Sequence, residues 1–353
     1  MSIAEPAAAE SLEDLEARQI DPTRPLLEVD RLVMHYKIKA GEVSAVEDVS
    51  FTVHEGESVG LVGESGCGKT SIALSLLRLL PSNAEFISGE IRLNGEDLLW
   101  LSPEEMRQRR WKEIAMVFQG AMNSWNPVYR VGDQIRETLD THYRGVMSYD
   151  EQRAHMEKLF TSVGLQPTML DRYPHEFSGG MRQRAIIAMA LSCSPQVIIA
   201  DEPTTALDVI VQDQILKELK RIQAELGMSI IYISHDIAVI AEVTDSIGVM
   251  YAGKLVEYGT TIDVFSRPIH PYAYLLLRST PSITGPRRKL APLGGEPPDL
   301  LHPPTGCRFH PRCPFATEKC TVDEPPLEEV LPGHRVACWH WEEVPVLEEA
   351  LRR

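Results

Sequence analysis

A chain of 353 residues, 43% of them hydrophobic, is long enough for one large domain and a smaller one around a sizeable core. Its 35 basic and 51 acidic side chains leave a formal charge of −16, which argues against a partner held mainly by phosphate neutralisation, so no nucleic acid is expected although a local basic patch stays open. No stretch approaches the roughly 18 to 20 uninterrupted apolar residues of a membrane-spanning helix, and the opening MSIAEPAAAESLEDLEARQIDPTRP has neither the basic start nor the apolar centre of a secretory signal.

Residues 1–25 are acidic and Ala-rich, and are expected to form a flexible tail in which Ala7 to Arg18 could make a frayed helix. Short apolar runs then alternate with helical patterns: LEVDRLVMHY, SVGLVG, a helix from Thr70 to Leu80, and later VIIAD and SIIYIS with a helix between them. That rhythm predicts an α/β fold with a parallel sheet covered on both faces. GEIRLNGEDLLWL reads as a hairpin turning at Asn94-Gly95, and SIGVMYAGKLVEYG as a second turning at Ala252-Gly253. Between about Pro103 and Gly180 strand signals fade and helical ones dominate, so a helical subdomain is expected as an insertion in a domain spanning 26–266. From 267 to 353 the composition shifts towards proline, as in RPIHP, GEPPDLLHPP and DEPP, which predicts a small loop-rich module.

GESGCGKT fits the phosphate-binding pattern of two glycines followed by Lys and Ser or Thr, and it lies between a strand and a helix. Its residues Gly63, Glu64, Ser65, Gly66, Cys67, Gly68, Lys69 and Thr70, with the following Ser71, are the candidate nucleotide-binding segment. Glycines let backbone N–H groups wrap towards phosphate oxygens, and the helix N-terminus adds positive potential. Lys69 is placed to reach the β and γ phosphates and Thr70 to hold Mg²⁺. The rival reading is a glycine-rich turn without a ligand.

VIIADEP is a buried strand ending in two acids at the sheet edge where α/β folds bind ligands. Asp201 suits Mg²⁺ and Glu202 suits a base that orients the attacking water; taken alone, the pair reads equally as a strand end capped by solvated acids. SIIYIS ends at His235, which reads as a γ-phosphate sensor, although a lone His there is more often structural. FSGGMRQR opens a helix, so Ser178, Gly179 and Gly180 offer a second anion site or a plain N-cap.

The ordered set GESGCGKT, FQG at Gln119, FSGGMRQR, VIIADEP, ALD at Asp208 and SHD at His235 resembles the ATP-binding subunit of ABC transporters, a P-loop NTPase, over roughly Leu26 to Ser266. The resemblance implies ATP and Mg²⁺ as ligands and a head-to-tail pair of ATPases, in which Ser178, Gly179 and Gly180 complete the partner's site. It further implies that Tyr36 stacks on adenine, that Gln119 touches Mg²⁺ and the attacking water, and that Glu202 is the catalytic base beside Lys69 and His235. QGAMNSWNPVYRVGDQI and RPIHPYAYLLLRSTP are similar to segments of peptide-importer ATPases, with departures at Gly120, Ala121 and Trp125. Cys67 stands where a small polar residue is more usual, and introduces a possible oxidation site.

Four of the six cysteines, Cys307, Cys313, Cys320 and Cys338, fall in the proline-rich module. Disulfides fit the even count but not a reducing compartment; zinc usually takes tighter pairs; an iron–sulfur cluster is permitted without being demanded. Spacing does not choose among them. The tail, however, is similar to the C-terminal region of dipeptide and oligopeptide importer ATPases, some of which carry a [4Fe–4S] cluster on cysteines so arranged, and this implies a cluster with Zn²⁺ as the alternative. The role expected is structural, with redox sensing as the sharper alternative, and His310, His334 and His340 read as surface histidines or reserve ligands.

The expectation is therefore an ATP-hydrolysing subunit of a peptide importer, peripheral to the cytoplasmic side of the cell membrane. It would work with a second, related ATPase, two permease chains and, indirectly, an extracellular substrate-binding protein. Its rivals are the same role for nickel or oligosaccharide, and a soluble ATPase of the same family.

Overall fold

Alternating apolar and polar residues force the first two strands into a half-buried sheet. In the computed structural model, which describes residues 20–205, 207–279 and 293–345, β1 (Pro25–Ile38) buries Leu27, Val29, Leu32 and Met34, and β2 (Gly41–His54) buries Val46, Val49, Phe51 and Val53. Most of the expected N-terminal tail, with Ala7 to Arg18, lies outside the described residues. β3 (Ser58–Val62) is buried along its whole length, as a strand covered on both faces must be. The helix Lys69–Leu76 follows it and ends four residues before the expected Leu80. The cause is Arg78, whose φ of 49° leaves the helical region while its guanidinium bonds the carbonyls of Leu98 and Leu101.

β4 (Ala84–Leu93) and β5 (Glu96–Asp97) form the expected hairpin, turning through Asn94 (φ 53°) and Gly95 (φ 81°). The stretch from 103 to 180 carries the helices Pro103–Arg109, Val131–Tyr143 and Tyr149–Ser162, but also β6 (Ile114–Val117), a strand too short and too fully buried to show any alternation. The helix Gly179–Ala190, β7 (Val197–Asp201), the helix Val209–Leu226 and β8 (Ser229–Ser234) come next. β9 (Ser246–Tyr251) and β10 (Lys254–Thr260) make the second expected hairpin, through Ala252 (φ 50°) and Gly253 (φ 85°). The proline-rich end contributes the helix Pro271–Ser279, the short helix Glu318–Val322, β11 (Glu328–Leu331) and β12 (His334–Val336).

Two compact units result. One comprises residues 20–23 and Ser102–Ile230; in it β6 pairs with β7 in parallel. The other comprises Arg24–Leu101 and the chain from Ile231 onward. It holds an antiparallel sheet in the order β2-β1-β4-β5, and a mixed ladder in which β3 pairs with β9 in parallel and β9, β10, β12 and β11 follow antiparallel. The C-terminal segment is tied into this second unit by Arg308, buried against the Ala252 carbonyl and Ser44 Oγ, and by the Ser44 N–H bonding the Leu300 carbonyl.

Candidate functional site

The phosphate loop rises from the buried end of β3 and turns into the helix Lys69–Leu76. Its shape requires glycine at two places. A Cβ on Gly63 would lie 2.2 Å from the Met250 carbonyl oxygen, and one on Gly68, at φ 105°, would lie 2.3 Å from that of Ala45. Lys69 is buried beneath the loop, its Nζ donating to the carbonyls of Gly63 (2.7 Å) and Glu64 (3.0 Å). Ser65, Gly66 and Thr70 are exposed on the outer side and Ser71 is half-buried. Tyr36, on β1, reaches the same helix, with its hydroxyl 3.2 Å from Ser71 Oγ. Cys67 differs from expectation: it is buried, and although Lys69 lies 3.5 Å from its sulfur, burial pushes the thiol up, so little reactive thiolate forms.

Two residues that the sequence did not single out close the loop from below. The Glu64 N–H donates to the Tyr272 hydroxyl at 2.9 Å, and the Arg312 guanidinium forks onto the Glu64 carboxylate at 2.6 and 3.0 Å. Nothing local announces either, since Arg312 is 248 positions away.

In the other unit, β6 and β7 deliver Gln119 and the acidic pair. Asp201 is buried at the end of β7, and Glu202 follows at φ 47°, an unusual conformation for a residue with a side chain. Gln119 Nε2 donates to Glu202 Oε2 at 2.6 Å, and Thr205 Oγ1 donates to the same oxygen at 3.0 Å. Ser178 caps the helix Gly179–Ala190, its exposed hydroxyl accepting from the Met181 N–H at 3.3 Å, while Gly180 packs so closely that a Cβ would lie 2.8 Å from Val211. Asp208 caps the helix Val209–Leu226 in the same manner. His235, exposed, follows β8 in the unit that also carries the phosphate loop. The structure thus brings Gln119 to Glu202 in one unit, and Lys69, Tyr36 and Ser71 to the loop in the other.

The cysteine segment gathers its thiols without forming a coordination shell. Cys307, Cys313, Cys320 and Cys338 line one cavity of about 10 Å³, walled by Phe309, Phe315 and Trp339. The Cys307 N–H bonds the Cys320 carbonyl at 2.9 Å, and burial with the neighbouring sulfurs pushes the Cys313 thiol up to about 11 and the Cys338 thiol up to about 12. Among the described residues, however, no group of three or more His, Cys, Asp or Glu side chains is arranged to hold a metal ion. The donors suit a thiolate-bound centre; their spacing is not that of one. His310 and His340 line the same cavity, but His334 is neither a surface residue nor a reserve ligand: it is buried, with Nε2 2.8 Å from the fully buried Glu257. No described helix is long and apolar enough to cross a membrane.

Comparison with known proteins agrees with this geometry. The family pattern described as "ABC transporter" matches residues 46–205, and that described as "Oligopeptide/dipeptide transporter, C-terminal region" matches residues 256–320. The chain is 44% identical to a probable peptide ABC transporter ATP-binding protein of Sinorhizobium fredii, over 90% of this chain and 96% of the relative. It is likewise 44% identical to the oligopeptide transport ATP-binding protein OppD of Haemophilus influenzae, over 89% of this chain and 97% of the relative. Among solved structures it is similar to a dimeric ATP-binding cassette in a post-hydrolysis state bound to ADP and phosphate, with a TM-score of 0.60 and 27% identity over 67% of this chain and 99% of the other.

Proposed function

The chain belongs to the ATP-binding proteins of peptide ABC transporters, and from that premise we propose how its residues serve ATP-driven peptide import. The observation that carries the reading is the phosphate loop wrapped over Lys69 in a chain that also matches the oligopeptide transporter C-terminal pattern. The enzyme is a transport-coupled ATPase.

The loop backbone and Lys69 bind the ATP phosphates, and Tyr36 stacks on the adenine. Glu202 takes the proton of the attacking water at a carboxylate oxygen, Gln119 orients that water from its hydrogen-bonded position, and His235 senses the γ-phosphate. Thr70, Asp201 and Gln119 are the residues to hold Mg²⁺, which when bound neutralises phosphate charge. Ser178, Gly179 and Gly180 close over the nucleotide of a second, related ATPase, so that binding closes the pair, moves two permease chains and releases peptide delivered by an extracellular binding protein. The subunit then sits peripherally on the cytoplasmic side of the cell membrane. Residues 26–266 form the ATPase domain, with 103–180 as its helical subdomain, and 267–353 form the cysteine module.

For that module we propose a thiolate-bound centre, a [4Fe–4S] cluster with Zn²⁺ as the alternative, held by Cys307, Cys313, Cys320 and Cys338. That all four thiols line one cavity supports this reading, which requires them to close into the coordination shell they do not form here. Iron and sulfide in anaerobically purified protein support the cluster; zinc alone supports the alternative; neither metal overturns both.

Reconstitution with the permease chains in vesicles tests the function. ATP-dependent peptide uptake that disappears with Glu202→Gln is the expected result. Uptake of nickel or an oligosaccharide in place of peptide would transfer the role to that solute.

A further inference from the structure

We propose that Arg312, beside Cys313 in the cysteine segment, is a positioning residue for the phosphate loop, so that the C-terminal module sets how tightly the loop binds ATP. The proposal rests on the reading of that loop as the ATP site; it does not depend on which metal the cysteines hold.

Glu64 is held from three directions. Its carbonyl accepts from Lys69 Nζ at 3.0 Å, its N–H donates to the Tyr272 hydroxyl at 2.9 Å, and its carboxylate takes both arms of Arg312, Nη1 at 2.6 Å and Nη2 at 3.0 Å. Arg312 is itself immobilised. Its Nε donates to the Gly294 carbonyl at 2.8 Å, Nη1 lies 3.3 Å from the Tyr251 hydroxyl, and only 5% of its side chain is exposed. Two parallel charge-assisted hydrogen bonds from a fixed guanidinium define an orientation as well as a contact. The residue so oriented follows Gly63, and the carbonyls of this same pair seat Lys69.

The link continues from the loop to the cysteines through packed rings. Tyr272 lies 4.7 Å from Tyr251 and 5.4 Å from Phe309, and Phe309 lies 5.8 Å from His270, centroid to centroid. Phe309 and His270 line the cysteine cavity. One layer of side chains therefore lines the thiol cavity on one side and hydrogen-bonds the phosphate loop on the other. A close-packed layer transmits displacement because it has no free volume in which to absorb it.

A staple that merely held the fold would change how much protein is folded, not how the folded protein binds nucleotide. Full-length wild type, Arg312→Ala, Arg312→Lys, Glu64→Gln and the Glu64→Gln/Arg312→Ala double variant are compared by titration with fluorescent ATP and by steady-state hydrolysis. Arg312→Ala is expected to weaken ATP binding and raise KM about tenfold with kcat within about twofold, because the loop is misplaced while the reacting groups remain. Arg312→Lys recovers part of the loss, since an ammonium cannot fork. The double variant is expected to be no worse than Arg312→Ala alone. Unchanged affinity in Arg312→Ala, or losses that simply add in the double variant, would overturn the proposal. If Arg312→Ala does not fold, Glu64→Gln decides alone: weakened affinity supports the inference and unchanged affinity overturns it. Wild type that fails to bind ATP would overturn the reading of the loop itself.

Discussion

Gln119 Nε2 sits 2.6 Å from Glu202 Oε2, a bond between residues 83 positions apart that joins the end of β6 to the end of β7. The two strands pair in parallel, so consecutive residues past their ends emerge on the same edge. The bond fixes the orientation of the Glu202 carboxylate, and the Glu202 backbone sits at a φ of 47°, a conformation that is sparsely populated for a residue with a side chain.

Glu202→Gln keeps the shape of the side chain and removes the proton acceptor. Turnover is expected to fall by about 10² to 10⁴-fold while ATP remains bound, and Gln119→Ala to fall less, by roughly tenfold. Single-turnover hydrolysis with retained nucleotide measured on a filter checks both; substantial residual turnover in Glu202→Gln would remove that residue from the role.

Gly68→Ala tests the phosphate loop by geometry alone. The new methyl would lie 2.3 Å from the Ala45 carbonyl at a φ of 105°, so the loop must shift. ATP affinity is expected to drop by about tenfold or more while cooperative unfolding is preserved, as read by nucleotide titration beside urea denaturation.

His334→Ala tests how the end of the chain is fastened. Glu257 is fully buried; its carboxyl is pushed up by burial and pulled down by His334 and by the N–H groups of Ile269 and His270. Removing the imidazole leaves the buried carboxyl short of one hydrogen-bond partner, at a cost of about 1 to 3 kcal/mol. Denaturant unfolding that shows a loss well under about 1 kcal/mol would contradict the buried pairing.

His142 predicts a window of acid sensitivity. Burial, then the charges of Lys112 and Arg107, hold its imidazole down to about 4, against about 6.5 in an unfolded chain. The folded chain keeps His142 neutral while the unfolded one gains a proton, so its contribution is present above about 6.5 and is lost as pH falls through about 4. His142→Gln is expected to flatten the fall in urea midpoint between those values; an unchanged pH slope would argue against it.

Much of the fold was legible because its cues are local. Asn94-Gly95 and Ala252-Gly253 each supply two consecutive left-handed residues, which is what a tight hairpin needs. Gly63 to Thr70 reads as a phosphate loop because backbone approach and a single ammonium demand that spacing. β6 stayed hidden because four buried residues carry no period, and the helix after the loop ended early because Arg78 turns to bond carbonyls from 98 and 101.

The sequence by itself supplied the candidates: a glycine-rich segment with the spacing of a phosphate loop, an acid placed at a strand end, and four thiols in one segment. Tertiary structure alone decided which groups hold those residues in place. Glu64 meets Arg312 across 248 positions and Glu257 meets His334 across 77. Such pairs are selected by burial and charge in three dimensions, and a contact of that separation leaves no period or spacing in the chain.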